Sequence, residues 1–513
     1  MRMPEALRPL WRWVRSLPWQ RFGAGVVAGI GALLLTFLLR LFGIGVFLPE
    51  LAVDFAVGRV PGEVESWFIR TLGEGAKALA VFVAIAVFLG LYGIAATFFR
   101  RFERWVPHRW GVIALYTFAH GLIALLVVLP LLGGGFLGAS TYQGVGAAVF
   151  SQLAGGWIYA AILDYLLVDV RAKFPQGFNP TRRQFLKWTV IGSIAAVLIL
   201  YGLGSVSRRI QRLAFPSVAA MVAKEVTPNS EFYVVTKNVI DPVVDASSWR
   251  LAVDGLVQAP RAYTYADLLA RAATQEYVTL ECVSNEVGGD LISTARWTGI
   301  PLRDLLDDSI VELNADWVLF TCADGYTVAI PLAKARDPAT LLAVRMNGEP
   351  LAGAHGFPAR IVVPGLYGMF HAKWITRITP VQGEAKGFWQ QKGWTNVGRV
   401  RATAIIATPG TDSVVRGLVQ IGGVAFAGDR GISRVEVSTD GGATWAPAVL
   451  RVPPLSGLTW VLWTYDWTPP RDGSFRIRAR AVDGNNAVQE PTPASPFPNG
   501  AAGYDAITLL VST

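Results

Sequence analysis

The sequence predicts a multidomain chain with an all-α transmembrane bundle, an α+β domain and an immunoglobulin-like β-sandwich, in that order. Three observations lead to this prediction. Long apolar runs occupy the first 204 residues, short strand-like runs with brief helices follow, and alternating strands dominate the last part. The 513-residue chain is 52% hydrophobic, which is more than most soluble proteins carry. Part of the chain is therefore expected to lie in lipid.

Five apolar runs have roughly the 20 residues that a helix needs to cross a bilayer. They are Gly23 to Phe47, Ala78 to Phe99, Trp110 to Leu132, Val145 to Val168 and Trp188 to Leu203. Short cytoplasmic loops hold the excess of arginine and lysine, so the basic connections between these runs are predicted to be cytoplasmic. Everything after the fifth helix is then expected on the extracytoplasmic side of a bacterial or archaeal cell membrane, in a multi-pass protein.

Most of the positive charge belongs to the apolar part of the chain. Residues 1 to 212 contain 21 Lys and Arg and 9 Asp and Glu, a balance of +12, whereas the whole chain carries +9. A nucleic-acid-binding protein would carry its basic residues on a folded soluble face. We therefore expect a lipid bilayer as a partner and no nucleic acid.

Polar residues within the predicted spans leave two interpretations open. Arg40 and Asp164 either reach water at helix ends or mark a quinone or proton site, because charges at membrane depth are costly and often functional. Only His120 lies within a span. A haem held by two facing histidines is therefore not expected.

The segment TRRQFLKW, Thr181 to Trp188, directly precedes the fifth apolar run. It resembles the twin-arginine export signal, an address read by a receptor that moves folded proteins. The alternative is a basic cluster, which the positive-inside rule would produce at the same place. The resemblance implies that the outer part of the chain acquires a cofactor before it crosses the membrane.

After a predicted linker, residues 205 to 228, short strand-like runs alternate with brief helices. The strand-like runs are Phe232 to Val235, Trp249 to Val253, Val278 to Cys282, Trp317 to Thr321 and Ile361 to Val363, and the helical patterns are Tyr265 to Arg271 and Leu302 to Leu306. This pattern predicts an α+β domain over residues 229 to 395.

Residues 396 to 513 are predicted to form an immunoglobulin-like sandwich. The segment SFRIRARAVDG alternates apolar residues with Arg476, Arg478 and Arg480, which indicates a strand with one solvated face. The segment RVEVSTDGGATW contains a hairpin turn at Asp440 and Gly441.

Two stretches of the α+β domain carry candidate chemistry. In TLECVSN, Cys282 ends a strand before a glycine-containing loop, where a thiolate suits a soft metal and a small buried residue is the alternative. In AHGFPARIVVPGLYGMFHAKW, glycines permit close backbone approach, and Arg360, His371 and Lys373 can donate to a phosphate. The alternative for this second stretch is a turn-rich connection with solvated charges. Because Cys282 and Cys322 are the only cysteines, a disulfide framework and a structural zinc site are not expected.

Together these segments resemble the sulfite oxidase family of molybdopterin enzymes, from about Asn229 to the end of the chain. CVSN resembles the segment whose cysteine binds molybdenum, which implies that Cys282 is both metal ligand and catalytic residue. HGFPAR, HAKW and FTCADGY match further family segments, and YVVTK stands where the family has Phe-Val-Arg-Asn-His. The implied cofactor-binding residues are Tyr233, Thr321 or Asp324, His355, Arg360, His371, Ala372 and Lys373.

Two departures from the family pattern concern the substrate. YVVTK lacks the arginine and histidine of the family segment, and Glu286 stands where an arginine follows the CVSN-type segment. A carboxylate about 6 Å from an anion repels it by roughly 3 kcal/mol at an effective dielectric of 20. We therefore expect a neutral S-oxide or N-oxide rather than an oxyanion such as sulfite, although Arg345 or Lys373 could hold an anion.

The sequence thus predicts a membrane-anchored, molybdopterin-dependent oxidoreductase that transfers an oxygen atom in a two-electron reaction. A separate electron carrier or quinone is the expected redox partner, and the family resemblance implies a homodimer formed through the last domain. Two alternatives remain open. One is a thiol hydrolase that uses Cys282 with His355 or His371 as base. The other is a non-catalytic envelope protein with an immunoglobulin-like binding module.

Overall fold

The computed structural model describes residues 19–64, 67–68, 75–98, 106, 108–169 and 212–512. It contains two compact units. The first comprises Met1–Arg59, Glu74–Ser207 and Lys237–Ile240, and the second comprises Val60–Gly73, Arg208–Thr236 and Asp241–Thr513. The predicted fifth span and the segment TRRQFLKW lie outside the described residues.

The first unit is helical. Its helices are α1 Trp19–Leu41, α2 Leu48–Val57, α3 Gly75–Thr97, α4 Arg109–Ile123 and α5 Gly144–Asp164, and α4 continues through a π-helical turn, Ala124–Val128, to Leu131. Four helices among the described residues are long and apolar enough to cross a membrane, namely Arg21–Leu41, Leu79–Thr97, Trp110–Leu131 and Gly144–Leu167. They coincide with the first four predicted spans.

Small residues let these helices approach closely. A Cβ on Gly29 of α1 would lie 2.8 Å from the Tyr92 ring of α3, and one on Gly155 of α5 would lie 2.9 Å from Thr36 of α1. Helices in lipid associate through this kind of close packing, because no hydrophobic effect drives them together there.

The polar residues of the bundle are paired inside it. Arg40 forms two 2.8 Å hydrogen bonds with the carboxylate of Glu50, and both residues are buried, so Arg40 does not extend to water as one interpretation expected. His120 Nδ1 lies 2.9 Å from the Gln152 carbonyl, which can only accept, so this nitrogen carries the proton. Nε2 then accepts from the Tyr92 hydroxyl at 2.8 Å. Both ring nitrogens of His120 are thereby used in helix packing.

The second unit includes α6 Val218–Ala223 and contains two sheets in its α+β part. One sheet has the strand order β2-β1-β10-β5-β6 and the other β3-β4-β7-β8, with β9 paired to β7. The strands are β1 Arg250–Val253, β2 Arg261–Thr264, β3 Thr274–Glu281, β4 Ile292–Pro301, β5 Trp317–Cys322, β6 Thr327–Pro331, β7 Leu341–Met346, β8 Glu349–Pro350, β9 Arg360–Val362 and β10 Ile375–Val381. The helices are α7 Tyr265–Arg271, α8 Leu302–Asp308 and α9 Leu332–Ala335.

Most predicted elements of this part are confirmed, since β1, β3, β5, β9, α7 and α8 overlap the predicted runs. The predicted strand at Phe232 to Val235 is wrong. The Phe232 N–H donates to the Pro228 carbonyl at 3.0 Å, and the Tyr233 N–H donates to Ser293 Oγ at 3.2 Å, so neither amide bonds to the backbone of a neighbouring strand. Local apolarity there reflects burial of Phe232 against Trp297.

The last part of the chain is rich in β-strands. They are β11 Thr403–Thr408, β12 Ser413–Val415, β13 Val419–Phe426, β14 Ile432–Ser438, β15 Ala446–Pro447, β16 Val449–Leu450, β17 Val461–Trp467, β18 Gly473–Asp483 and β19 Asp505–Val511. They form one sheet of order β11-β13-β17-β16 and another of order β12-β19-β18-β14-β15. Ile421, Trp463 and Leu509 belong to the core that both sheets contribute to.

Two local predictions for this part are confirmed. Ile477, Ala479 and Ala481 of β18 are fully buried, whereas the arginines between them are exposed or half-buried. Asp440 lies in the connection between the antiparallel strands β14 and β15, and its carboxylate accepts from the Ala443 and Thr444 amides. Hydrogen bonding to this carboxylate, first from Thr444, holds the pKa of Asp440 well below its usual range.

Candidate functional site

Cys282 directly follows β3, where the chain leaves the sheet. Pairing of β3 with β4 continues past the strand end, because the Cys282 N–H donates to the Leu291 carbonyl at 2.9 Å. The side chain is 7% exposed, and Sγ lies 3.1 Å from Ser284 Oγ. Burial raises the pKa of the Cys282 thiol, and the hydrogen bonds from Ser284 oppose this shift. A Ser284 hydroxyl that donates to sulfur favours the thiolate, which is the form that binds metals.

Gly368 is the point where three parts of the site meet. A Cβ at this position would lie 2.5 Å from the Tyr233 hydroxyl, 3.3 Å from the Glu281 carbonyl oxygen and 3.6 Å from the Cys282 Cα. Only glycine leaves room for this approach. The structure thus brings Tyr233, predicted as a cofactor contact, next to Cys282.

Burial raises the pKa of the Tyr233 hydroxyl well above its ordinary value, and the charge of Cys282 adds to that shift. The positive charge of Arg360 acts in the opposite direction. Tyr233 is therefore a neutral hydrogen-bond donor at neutral pH, and its hydroxyl is under the electrostatic influence of both Cys282 and Arg360.

Arg360, the first residue of β9, is a buried guanidinium held by backbone carbonyls. Nη1 donates to the His355 carbonyl at 3.2 Å and Nη2 to the His371 carbonyl at 3.3 Å. The guanidinium lies 4.9 Å above the ring of Trp297, and its Nε has no hydrogen-bond partner. Burial lowers the pKa of Arg360 to about 10, so it stays charged at neutral pH without a carboxylate partner among these contacts.

The two predicted histidines use their rings to hold the backbone. His371 Nδ1 accepts from the Val363 N–H at 3.2 Å, and Nε2 donates to the Leu366 carbonyl at 3.1 Å. Burial, followed by the charge of Arg360, lowers the pKa of His371 to about 3. His355 Nε2 donates to the Asn229 carbonyl at 2.9 Å. Both ring nitrogens of His371 are therefore engaged with the backbone, which leaves this ring no free nitrogen to act as a general base for Cys282.

Ala372 and Lys373 complete the same loop. Ala372 is 1% exposed, and its carbonyl accepts from the Ile361 N–H at 2.8 Å. Lys373 Nζ donates to the Ala354 carbonyl at 3.0 Å and to the Val235 carbonyl at 3.3 Å. These bonds direct a second positive charge toward the segment that carries Tyr233.

Thr321 and Asp324 lie at the end of β5 and in the turn after it. Thr321 pairs with Arg377 and Thr327 in the sheet. Asp324 Oδ1 accepts from the Tyr326 N–H at 3.0 Å. The pKa of Tyr326 is raised by burial and then by the charges of Cys322, Asp324 and Cys282, so this turn is within electrostatic reach of Cys282.

The loop after Cys282 is clamped by one amide side chain. Asn285 Nδ2 donates to Glu281 Oε1 at 3.1 Å, and its Oδ1 accepts from the Leu291 N–H at 3.1 Å. Burial raises the pKa of Glu281 to about 7, and its Oε2 has no hydrogen-bond partner. Glu286, predicted to bear on the substrate, is half-buried in the same loop.

Comparison with known proteins connects this geometry to a family. Residues 238–389 match the oxidoreductase molybdopterin binding domain, and residues 396–496 match the Mo-co oxidoreductase dimerisation domain. The sulfite oxidase of Gallus gallus is 32% identical over 337 residues, which are 56% of this chain and 72% of that protein. The chain belongs to the sulfite oxidase family.

One further relative and one solved structure are also similar to parts of this chain. The sulfite oxidase of Arabidopsis thaliana is 30% identical over 335 residues, which are 54% of this chain and 85% of that protein. The sulfane dehydrogenase SoxCD from Paracoccus pantotrophus has a TM-score of 0.48 and 24% identity, over 56% of this chain and 84% of that one.

This sulfite oxidase family member is a molybdenum cofactor-dependent oxidoreductase, and its cofactor is molybdenum-molybdopterin. The site fits that group. Arg360 offers a buried, unpartnered Nε and a positive charge to the anionic pterin, and Cys282 offers a thiolate to the metal. Within the described residues no three His, Cys, Asp or Glu side chains form a metal-binding cluster.

Sequence reasoning missed Trp297, Tyr326 and the side chain of Glu281. Tyr326 ends the segment FTCADGY and could have been found from that match. Trp297 reaches Arg360 only because β4 and β7 pair in one sheet, with Trp297 opposite Met346. No local pattern signals that contact.

Proposed function

We propose that this family member is anchored in a bacterial or archaeal membrane and catalyses oxygen-atom transfer on the extracytoplasmic side. The proposed parts are a membrane bundle at residues 1–204, a linker at 205–228, a catalytic domain at 229–395 and an immunoglobulin-like dimerisation domain at 396–513. The bilayer is a partner through the four apolar helices and the fifth apolar run. The twin-arginine-like segment supports export of a folded, cofactor-loaded domain.

The observation that carries the catalytic proposal is the convergence of Cys282, Tyr233 and Arg360. Both Tyr233 and Cys282 approach Gly368 closely, and Arg360 contributes a buried charge with an unpartnered Nε that influences Tyr233. When bound, the molybdenum cofactor supplies the two-electron chemistry of oxygen-atom transfer. Cys282 would bind the metal, while Arg360 and Lys373 would hold the pterin and its phosphate, together with the backbone at Ala372.

The remaining predicted contacts shape the pocket. His355 and His371 act through their carbonyls and rings, which fix Arg360 and the loop from Val363 to Leu366. Asp324 holds the turn that presents Tyr326. The Tyr233 hydroxyl is neutral and buried, so it can donate a hydrogen bond to a substrate oxygen, whereas the Tyr326 hydroxyl donates to the Met369 carbonyl at 2.6 Å. Thr321 remains a candidate pterin contact through the same strand end.

The proposed substrate is a neutral S-oxide or N-oxide, with sulfite-type oxyanions as the second candidate. Glu286 brings a negative charge to the loop after Cys282, and Tyr233 begins the segment that has lost the family arginine. An anion entering this pocket would be repelled by Glu286, whereas a neutral oxide would not. Arg345, half-buried in β7, is the positive residue that favours the second candidate.

The proposed redox partner is a separate electron carrier or a quinone, and the proposed assembly is a homodimer through residues 396–513. The match to a Mo-co dimerisation domain supports the dimer. Sulfite oxidase relatives support an electron carrier, because reduction of an oxide requires two electrons to be supplied and oxidation of sulfite requires two electrons to be removed.

The test uses the full chain purified in detergent. We expect close to one molybdenum per chain by elemental analysis and dye-linked turnover of sulfoxides or N-oxides above that of sulfite. Cys282→Ser should lose the metal or at least 99% of turnover, whereas Cys322→Ala, at the other buried cysteine, should retain both. Normal molybdenum and turnover in Cys282→Ser would overturn the proposal.

A further inference from the structure

The segment before the α+β domain is built into the second unit rather than free. Arg212 forms an isolated antiparallel bridge with Gly289, and the Leu213 N–H donates to the Gly288 carbonyl at 3.0 Å. The Phe215 N–H then donates to the Ala407 carbonyl of β11 at 2.9 Å. The segment therefore runs between the loop that follows Cys282 and the last part of the chain.

An ion pair fixes this crossing. Arg212 Nη1 donates to Asp505 Oδ1 at 2.8 Å, and Nη2 donates to Oδ2 at 2.5 Å. Asp505 is 2% exposed, and its Oδ2 also accepts from the Ile406 N–H at 2.8 Å. Arg212 Nη2 additionally reaches the Ile406 carbonyl at 3.2 Å. A bidentate pair of this kind is geometrically specific, because both partners are planar forks.

The ion pair packs directly against Gly288 in the loop that follows Cys282. A Cβ on Gly288 would lie 2.7 Å from both Arg212 Nη1 and Asp505 Oδ1, and Gly288 has a φ of +77°. Gly289 is equally crowded by the Asn285 side-chain oxygen. Two adjacent glycines make a loop intrinsically mobile, so its conformation depends on what packs against it.

The contacts continue from this loop to Cys282. Asn285 Nδ2 lies 3.5 Å from the Gly289 carbonyl, and the Asn285 N–H donates to the Cys282 carbonyl at 3.0 Å. Leu291 closes the loop, because its carbonyl accepts from Cys282 and its N–H donates to Asn285. An unbroken series of hydrogen bonds and close contacts therefore joins Arg212 and Asp505 to the backbone at Cys282.

We propose that Arg212 and Asp505 are positioning residues for the metal site. They hold the loop from Val283 to Leu291 in the conformation that directs the Cys282 sulfur and Glu286 into the pocket. The inference rests on the proposed role of Cys282 as the metal-binding residue. It adds two residues, Arg212 and Asp505, that lie outside the segments that resemble the family and that influence the position of Cys282. The conformation of the catalytic site thus depends on two further parts of the chain. They are the segment from Arg212 to Phe215, which precedes the α+β domain, and β19, which begins at Asp505.

The test compares Arg212→Ala and Arg212→Lys with the wild-type holoenzyme in detergent. Hydrogen exchange of the amides from Val283 to Leu291 should rise about tenfold in Arg212→Ala and less in Arg212→Lys, because a lost restraint increases local opening. The apparent KM for the best oxide substrate should rise about fivefold at similar molybdenum content. An Asp505→Asn variant should change in the same direction and guards against misfolding of a single variant.

The matched control is Arg430→Ala. Arg430 forms a 2.8 Å ion pair with the buried Asp483 in the same unit, and its guanidinium also donates to the Val400 carbonyl rather than to the loop after Cys282. Loop exchange in Arg212→Ala that does not exceed exchange in Arg430→Ala would overturn the proposal. Faster exchange with an unchanged KM would also overturn it. Hydrogen exchange is measured without any substrate, so it tests the positioning role independently of the reaction. If the proposed oxide chemistry is wrong, the wild-type protein itself will show no oxide turnover.

Discussion

The guanidinium of Arg360 lies 4.9 Å above the ring of Trp297, between two carbonyls that it bridges. This arrangement combines a cation-π contact with a planar donor fork, and a lysine can reproduce neither together. The charge is held in place before any cofactor binds, which lowers the entropy lost on binding.

Arg360→Lys should therefore reduce cofactor retention. We expect at least a tenfold fall in molybdenum and pterin per purified chain, because the point charge of lysine loses the bidentate bonds and the stacking. Elemental analysis and pterin fluorescence measure this directly. Arg303→Lys, at an exposed arginine of α8, is the control and should keep full cofactor. Full occupancy in Arg360→Lys would contradict the assigned role.

Gly368→Ala should disturb the site through Tyr233. The new Cβ would lie 2.5 Å from the Tyr233 hydroxyl, so the tyrosine must shift from its position beside Gly368. We expect more than a tenfold loss of turnover in dye-linked assays. Adding Tyr233→Phe removes the clashing atom and should recover part of that loss relative to Gly368→Ala alone.

Gly353→Ala provides the control for this pair of variants, because nothing lies within 4 Å of a Cβ at that position. It should keep wild-type activity. If the double variant is no better than Gly368→Ala, the clash with Tyr233 is not the cause of the loss.

Stability should fall in acid because His371 is buried in the neutral form. Its folded pKa is lowered from 6.5 to about 3 by burial and by Arg360, so only the unfolded state binds the proton between these values. The contribution is fully present above pH 6.5 and is lost as pH falls toward 3, with a slope of at most about 1.4 kcal/mol per pH unit.

His371→Asn should flatten this slope, whatever it does to stability at pH 7. Urea unfolding followed by tryptophan fluorescence at pH 7 and pH 5 gives the difference for each variant. His108→Asn, at an exposed histidine, should leave the slope as in the wild type. An equal slope in all three proteins would show that His371 takes no part in acid destabilisation.

Glu286→Gln should change substrate preference rather than overall activity. Removing the carboxylate reduces repulsion of an anion, and water around a half-buried group screens the effect, so we expect about a tenfold rise in kcat/KM for sulfite. Sulfoxide or N-oxide turnover should change less than threefold. Parallel rises for neutral and anionic substrates would count against an electrostatic role for Glu286.

The sequence predicted a large part of this fold because its signals are local. Apolar length was enough for the first four spans, and alternation was enough for β18. The same local method produced an error at Phe232 to Val235, where apolar residues are buried without forming a strand. It likewise treated residues 205 to 228 as a linker, and within them Arg212 forms an ion pair with a residue 293 positions away.

By itself the sequence determined that Cys282 ends a strand before a glycine loop and that Arg360 stands among residues suited to an anion. Strand boundaries, glycine spacing and side-chain chemistry are properties of neighbours in the chain. Only the tertiary structure decided that Trp297 lies under Arg360, that Tyr233 packs against Gly368 and that Asp505 lies against Gly288 in the loop after Cys282. These contacts depend on which strands pair and on where a glycine leaves room for a neighbouring side chain. Both are decided by the packing of residues that lie far apart in the sequence, so no local pattern predicts them.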